Sequence, residues 1–408
     1  MVDDQMKKTP VYWRDDFTGK DQSDLLVHAL RTESELRIAF YCNLIAWPKR
    51  SSGGVRKWVL TMANALVERG YRVDLLCETP RFKFVDEPLL DPRVTRVILG
   101  VGLLARMRRN RYVKQHPGVR IVAALNRYNI RATRIKRQFG ARVHVMLTQR
   151  ENLSADAEWR NPRKYRAETR AIRSHFNCAD AVVAVSQGLA EDLRNNFGVR
   201  PEKLHAIYNP AFTPRFLDAA QAPVAHSWLA QKDKPVVLAA GRLHFVKGFS
   251  DLLHAFARVR RICDARLIIL GEGKERPNLE RLVAELGLAD SALLPGRVPT
   301  TAPWMARSNV FVLSSRREGL PAVLIEALAI GMPIVSTRCP SGPEEILENG
   351  KWGRLVPVAD IDALSTAIVE VLCEPPTDRD ARRARAATFS LDAALEQYLA
   401  LWREPPCP

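Results

Sequence analysis

The chain has 408 residues, is 47% apolar and carries a formal net charge of +17. That length and apolar content exclude a disordered polypeptide and suit two α/β domains of ordinary size. The seven cysteines (42, 77, 178, 263, 339, 373 and 407) include no C-x-x-C pair. Neither a zinc ribbon nor a disulfide framework is suggested, and a reducing cytoplasm fits best.

Residues 1–35 show no clean periodicity and read as an N-terminal appendage. The first ten, MVDDQMKKTP, are polar, so no secretory signal is expected. No apolar run approaches the roughly 18 residues of a membrane span, which predicts a soluble or peripheral protein. Leu36 to Cys42 is the first strand pattern, Val59 to Glu68 has helical apolar spacing ended by Gly70, and Val73 to Cys77 is a second strand. This order predicts a βαβ unit and a parallel sheet. Gly53 and Gly54 precede the helix, where they serve either as a flexible turn or as a close approach to a phosphate.

Further strands are expected at Arg93 to Leu99, Arg120 to Leu125, Val143 to Leu147, Ala181 to Val185 and Leu204 to Tyr208, with a basic helix over Arg127 to Gln138. A helix is also expected after Ser186, through Asn195. His144 lies inside a strand and reads as a packed side chain. The stretch around 219–233 carries no strand signal and reads as a linker. Strand patterns then resume at Pro235 to Ala240, Arg266 to Leu270 and Ala292 to Leu294, with helices over Phe249 to Arg261 and Pro277 to Gly287. A helix is expected from about Asp360, then a basic link from Arg379 to Arg385, then a last helix over Leu391 to Trp402. Asp360 and Asp362 open a helix and fit capping better than metal binding. No H-E-x-x-H and no phosphate-binding loop is present.

The stretch Asn309 to Thr337 organises the second half. A strand, Val310 to Leu313, leads through a polar loop to Pro321, suited to the start of a helix. From Ala322 to Ile330 that helix is apolar on every side except at Glu326, and Gly331 and Pro333 stop it. A buried carboxylate costs several kcal/mol, as an order of magnitude, unless it is paired. Glu326 therefore pairs with an arginine elsewhere, lies at an exposed end of the helix, or awaits a ligand with adjacent hydroxyl donors, such as a ribose. Glu318 stands in the strand-to-helix loop where open α/β sheets bind ligands. Gly319 and Leu320 offer backbone N–H groups at a helix N-terminus. Upstream, Gly241 and Arg242, with Lys247 five residues beyond, fall between a strand and a helix. Such a pair is either a diphosphate clamp or two solvated loop cations.

Between Arg106 and Arg173 nineteen Lys and Arg face four Asp and Glu, a net +15 that is nearly the whole excess. Such a field either attracts an anionic partner, a nucleic acid or an anionic leaflet, or is a solvated basic face with no partner.

The run EGLPAVLIEALAIGMPIVST, with seven residues between Glu318 and Glu326, resembles the signature of the retaining glycosyltransferases of family 4. The resemblance covers about 36–402. It implies the α/β GT-B fold, two Rossmann-like α/β/α domains facing across a cleft, with a C-terminal helix crossing back to the first. The implied division is an acceptor domain at 36–215, a linker at 216–234, a donor domain at 235–385 and a returning helix at 386–408. It implies that Arg242 and Lys247 contact the donor diphosphate, that Glu318, Gly319 and Leu320 hold the donor sugar, and that Glu326 holds the ribose. Gly241, Gly271 and Gly273 fall in the family's donor loops, Arg297 and Val298 in its nucleobase pocket, Gly53 and Gly54 in its N-terminal glycine loop, and Asn209 in the segment entering the hinge. Where many relatives carry a cleft histidine, this chain reads LTQRENL, so Gln149 or Arg150 takes that position.

The expected function is transfer of a sugar from a UDP- or GDP-linked donor to a lipid-linked or oligosaccharide acceptor, as in cell-envelope glycan synthesis, with no metal cofactor. The expected site is cytoplasmic and peripheral, at an anionic inner membrane face. Arg106, Arg108, Arg109, Arg111 and Lys114, with the helix from Arg127 to Arg137, would make the membrane contact. Leu103, Leu104 and Met107 add either shallow insertion or core packing. Two other classes compete. A nucleic-acid-binding protein suits the basic half but leaves Glu326 unexplained, and no nucleic acid is expected. A nicotinamide-dependent oxidoreductase would need a third glycine where Arg276 stands.

Overall fold

The computed structural model describes residues 36–42, 54–78, 90–155, 157, 161–224, 226–231, 233–375 and 378–404. The N-terminal appendage, Gly53 and Cys407 lie outside the described residues.

The first half runs β1 (Arg37–Tyr41), α1 (Gly54–Glu68), β2 (Arg72–Cys77), β3 (Thr95–Ile98), α2 (Gly102–Gln115), β4 (Arg120–Ala124), α3 (Asn126–Phe139), β5 (His144–Gln149), α4 (Pro162–His175), β6 (Ala181–Ala184), α5 (Gln187–Phe197) and β7 (Leu204–Ala206). Its strands form one parallel sheet in the order β3-β2-β1-β4-β5-β6-β7. Two short helices follow, α6 (Pro214–Ala219) and α7 (Ser227–Gln231).

The second half runs β8 (Val236–Ala240), α8 (Phe249–Val259), β9 (Arg266–Leu270), α9 (Arg276–Glu285), β10 (Ala292–Gly296), α10 (Ala302–Met305), β11 (Val310–Leu313), α11 (Ala322–Ile330), β12 (Ile334–Thr337), α12 (Pro343–Ile346), β13 (Arg354–Val356), α13 (Ile361–Cys373), α14 (Arg379–Ala387) and α15 (Leu391–Arg403). Its strands make a second parallel sheet, β10-β9-β8-β11-β12-β13. Strands buried on both faces need apolar runs, and RIAFY, VVLAA and RLIIL supply them. Each sheet reverses its winding once, between β1 and β4 and between β8 and β11. Ligands of such sheets bind outside the carboxyl ends of the strands at these switch points.

Helix α15 returns to the first sheet, as the family resemblance implies. Tyr398 and Trp402 bury completely in the core that holds Ile38, Phe40 and Trp58. Arg69 pairs with Asp392 and Glu396 at its other edge, and Arg120 Nε donates to the Trp402 carbonyl at 2.9 Å.

Several expectations need correction. Helix α1 starts five residues before Val59, because Trp58 joins the core ahead of the periodic run. Helices α2 and α4 were not expected at all. Only Ala105, Tyr112 and Val113 of α2 are buried and only Ile172 of α4, so basic residues drown the apolar period. The basic link at Arg379 is helix α14, which lies against α11 and buries Arg382 and Ala386. Pro321 caps α11 and is not its first turn. Asp360 accepts from the Ala363 N–H and caps α13, as expected. His144 is 2% exposed, a packed strand residue as expected.

Candidate active site

One cavity of about 840 Å³ opens between the two sheets, lined from both halves. The second half supplies four loops at the carboxyl ends of its strands: 241–247 after β8, 271–272 after β9, 297–301 after β10 and 317–321 after β11. The first half supplies Gly54 and Lys57 from α1, and Arg150, Glu151 and Asn152 after β5.

The loops of the second half are locked by backbone contact. Gly271 has φ +140°, and a Cβ there would lie 1.8 Å from the Gly241 carbonyl oxygen. Only glycine fits that conformation and that approach. The Gly271 N–H donates to the Gly296 carbonyl and the Gly241 N–H to the Leu270 carbonyl, tying three loops together.

Within this frame Lys247 Nζ donates to Glu318 Oε1 at 2.5 Å, and Ser315 Oγ donates to the same oxygen at 2.6 Å. Arg242 is exposed on the wall, with no hydrogen bond or ion pair among the described residues. Burial, then the charges of Arg242 and Arg317, hold His244 below the ordinary histidine range. Six cations (Lys57, Arg150, Arg242, Lys247, Arg297 and Arg317) and four carboxylates (Glu151, Glu272, Glu318 and Glu326) line the space. That surplus favours an anionic ligand.

Glu326 is 5% exposed. Neither expectation for its partner was complete. The described contacts are a lysine and a threonine: Lys57 Nζ donates to Oε1 at 3.1 Å across the cleft, and Thr301 Oγ1 donates to Oε2 at 2.8 Å. The Lys57 side chain is 65% exposed, and an ion pair with so wet a partner contributes about 0–1 kcal/mol. A ligand hydroxyl can displace it.

Arg150 lies over the Trp58 ring, 4.4 Å from its centroid. Burial pushes its guanidinium down to about 10, so it stays charged at neutral pH. One terminal nitrogen, Nη1, is buried without a partner. Its carbonyl sits where a Gly319 Cβ would be, at 2.3 Å, so Gly319 lets the two halves meet.

The cavity gathers Gly54, Arg150, Gly241, Arg242, Lys247, Gly271, Arg297, Val298, Glu318, Gly319, Leu320 and Glu326. Among the described residues, Gln149, Asn209 and Gly273 are not part of its lining. Gln149 is buried at the end of β5 and donates to the Glu151 carbonyl at 2.9 Å, supporting the loop instead. The space a Gly273 side chain would fill belongs to the Leu243 carbonyl. Asn209 is half-buried beyond β7, with its Oδ1 unpartnered.

Lys57, Thr301, Asn152 and Glu345 were missed. Asn152 donates to Ser341 Oγ at 2.8 Å. The Glu345 carboxylate accepts from the Gln187 and Gly188 N–H groups at 2.8 and 2.6 Å. Only Lys57 left a trace, one helical turn beyond Gly54; Asn152 and Glu345 act between the two halves and Thr301 reaches Glu326 from another loop of its own half, contacts on which local pattern is silent.

Two family models match. "Glycosyltransferase Family 4" matches residues 52–213 and "Glycosyl transferases group 1" matches residues 234–374. The lipopolysaccharide core biosynthesis glycosyltransferase LpsE of Rhizobium meliloti is 32% identical over 237 residues, 57% of this chain and 67% of that one.

The chain belongs to glycosyltransferase family 4.

Alignments of this glycosyltransferase to some other curated relatives span about half of their length. Sucrose-phosphate synthase of Thermosynechococcus elongatus superposes with a TM-score of 0.75 at 22% identity, covering 90% of this chain and 98% of that one. Anabaena HepE, solved with UDP, superposes with a TM-score of 0.70 at 19% identity, covering 89% of this chain and 98% of its own. The fold of this family 4 glycosyltransferase is thus GT-B, with the cavity in the cleft between its sheets.

Proposed function

We propose that this enzyme transfers a hexose from a UDP- or GDP-linked donor to a hydroxyl of a lipid-linked or cell-envelope glycan, with retention at the anomeric carbon. The observation that carries the reading is the pair of carboxylates, Glu318 and Glu326, each held by a lysine in a cavity with surplus positive charge. HepE, of the same fold, was solved with UDP, and LpsE is named for lipopolysaccharide core biosynthesis.

In this reading residues 235–385 hold the donor and 36–215 the acceptor. Residues 216–234 join them, and 386–408 return to the first unit. Arg242 and Lys247 neutralise the diphosphate as it leaves, where charge develops in the transition state. Glu318 turns from Lys247 to the donor-sugar hydroxyls. The N–H groups of Gly319 and Leu320, which meet no backbone carbonyl among the described residues, face the same group. Glu326 takes the ribose hydroxyls, and Arg297 and Val298 flank the base. No side chain is placed as a covalent nucleophile. The acceptor oxygen bonds to the anomeric carbon on the face the diphosphate leaves, the sugar–phosphate bond breaks, and the departing phosphate oxygen takes the acceptor proton.

The acceptor would be met at the cytoplasmic face of an anionic membrane. Val101, Leu103, Leu104 and Met107 are 66, 71, 59 and 60% exposed on and beside α2. They are therefore not core residues. Arg106, Arg108, Arg111 and Lys114 share that helix. An exposed apolar row flanked by cations suits a bilayer surface better than a nucleic acid, which offers no apolar face at its phosphates. Among the described residues no helix is long and apolar enough to cross a membrane.

Thermal melting against nucleotides tests the donor reading. UDP or GDP should raise Tm, whereas NAD and duplex DNA should not; a flat response to every nucleoside diphosphate overturns it. Flotation with and without anionic lipid tests the membrane. Equal flotation with neutral vesicles removes that part.

A further inference from the structure

The carboxyl end of the first sheet holds a polar cluster that the donor cavity does not use. Tyr41 ends β1, Glu78 follows β2, and α3 opens after β4, so the cluster sits at the switch point of that sheet. Tyr41 hydroxyl donates to Glu78 Oε1 at 2.5 Å. Arg131 donates to Glu78 Oε2, and Arg127 Nη2 lies 3.9 Å from the same oxygen. Arg109, from α2, donates to the Tyr41 hydroxyl at 3.3 Å. Glu78 and the tyrosine bonded to it thus gather three guanidinium groups from two helices, and among the described residues of the cluster two positive charges stay unbalanced.

Other details point outward from this cluster. Arg109 Nε is buried without a hydrogen-bond partner, and an unfilled buried donor costs free energy until an acceptor arrives. The Arg127 side chain is 69% exposed and the Arg131 side chain 27%, while that of Glu78 is 9% exposed. The carboxylate is therefore the floor and the guanidiniums are the rim. Leu125, the residue before helix α3, has φ +79° and gives the helix no side-chain cap. The positive end of a 14-residue helix adds to the arginine field.

We propose that Arg109, Arg127 and Arg131, positioned by Glu78 and Tyr41, form an acceptor subsite for a phosphate group. Guanidinium forks match the oxygens of a phosphate in pairs. Gly54 and Arg150, which line the donor cavity, follow β1 and β5 on the same carboxyl edge of this sheet. The exposed apolar row lies on α2, the helix that supplies Arg109. A phosphorylated glycan presented at a membrane would meet both at once. The inference rests on the glycosyl-transfer reading and names the chemistry of its acceptor.

Glu78 makes the test decisive, because its removal acts oppositely in the two cases. In an anion site the resident carboxylate competes with the ligand; in a purely structural network it only holds the arginines. A hexose 6-phosphate and the same unphosphorylated hexose are titrated by calorimetry into the full chain saturated with UDP or GDP. The phosphate should bind and the hexose should not. Arg127→Gln should weaken the phosphate about tenfold, the effect of one hydrogen bond to a charged group, while Glu78→Gln should tighten it several-fold. Nucleotide affinity, measured alongside, should not move in either variant. Weaker phosphate binding in both variants, or equal binding of the neutral hexose, overturns the subsite. Failure of wild-type chain to bind any nucleotide instead sinks the donor assignment, and the phosphate arm is then read without it. Phosphatidylglycerol vesicles separate the sources of the phosphate. Vesicle binding that follows the same order of variants assigns the group to a lipid headgroup, and vesicle binding indifferent to both substitutions assigns it to the glycan.

Discussion

The two walls of the cleft are built on different principles. On the second half the loops interlock through backbone, with the Gly241 carbonyl in the place of a Gly271 side chain and the Gly296 carbonyl bonded to the Gly271 N–H. On the first half the charged groups are long arginines: Arg150 lies on an indole, and Arg109, Arg127 and Arg131 gather round one carboxylate. A backbone wall fixes where a ligand's phosphates go before the ligand arrives, which is what charge stabilisation in a transition state requires. An arginine wall keeps rotamer freedom, and suits an acceptor whose shape varies.

The sharpest way to break this contrast is to give the rigid wall a methyl group. Gly271→Ala sets alanine at φ +140° against a carbonyl oxygen. It should cost about 2–5 kcal/mol, combining backbone strain with overpacking. Urea denaturation reads the loss, and a change within about 0.5 kcal/mol would show that the loop yields freely. The clamp comes next. Lys247→Ala and Arg242→Ala should each lower kcat/KM about 10²–10³-fold, the effect of removing one transition-state donor. Wild-type turnover by both variants with a cognate donor would show that the clamp is wrongly assigned.

Glu326→Gln should weaken nucleoside diphosphate binding by about 1–3 kcal/mol with Tm nearly unchanged. Unaltered affinity by calorimetry contradicts the ribose role. The smallest effect belongs to the other wall. Lys57→Met should change stability by less than about 1 kcal/mol, because Lys57 is mostly exposed. Its nucleotide affinity should hold or improve, since a competitor for Glu326 is gone; a marked loss would make Lys57 a ligand contact.

The same contrast decides what could be read from sequence. The strands of both sheets were legible because parallel strands buried on both faces are written as apolar runs. Most of the rigid wall was legible too, because a strand–glycine–cation–helix order is local and its carboxylate stands out in the apolar helix α11. The arginine wall was legible only in part: Arg150 and the basic helix over Arg127 to Gln138 were expected, but the gathering of Arg109, Arg127 and Arg131 round Glu78 was not. Helix α2 has so few buried residues that no period survives. Lys57 reaches Glu326 over 269 positions and Glu345 reaches α5 over 157 or more. Gln149 went astray for a related reason: the strand β5 runs two residues past the expected Leu147 and buries it, leaving Arg150 as the first residue in the cavity.

Glu345 has one consequence for how the cleft handles anions. The start of an 11-residue helix, α5, with two N–H groups directed outward, is a natural socket for a phosphate. Here a carboxylate from the opposite half plugs it, bonded to both groups and also to the Tyr208 hydroxyl. While the halves stay together, phosphate cannot lodge there. If they part, the plug leaves with its own half and the socket is bared. One carboxylate thus both satisfies the start of α5 and ties the two halves together.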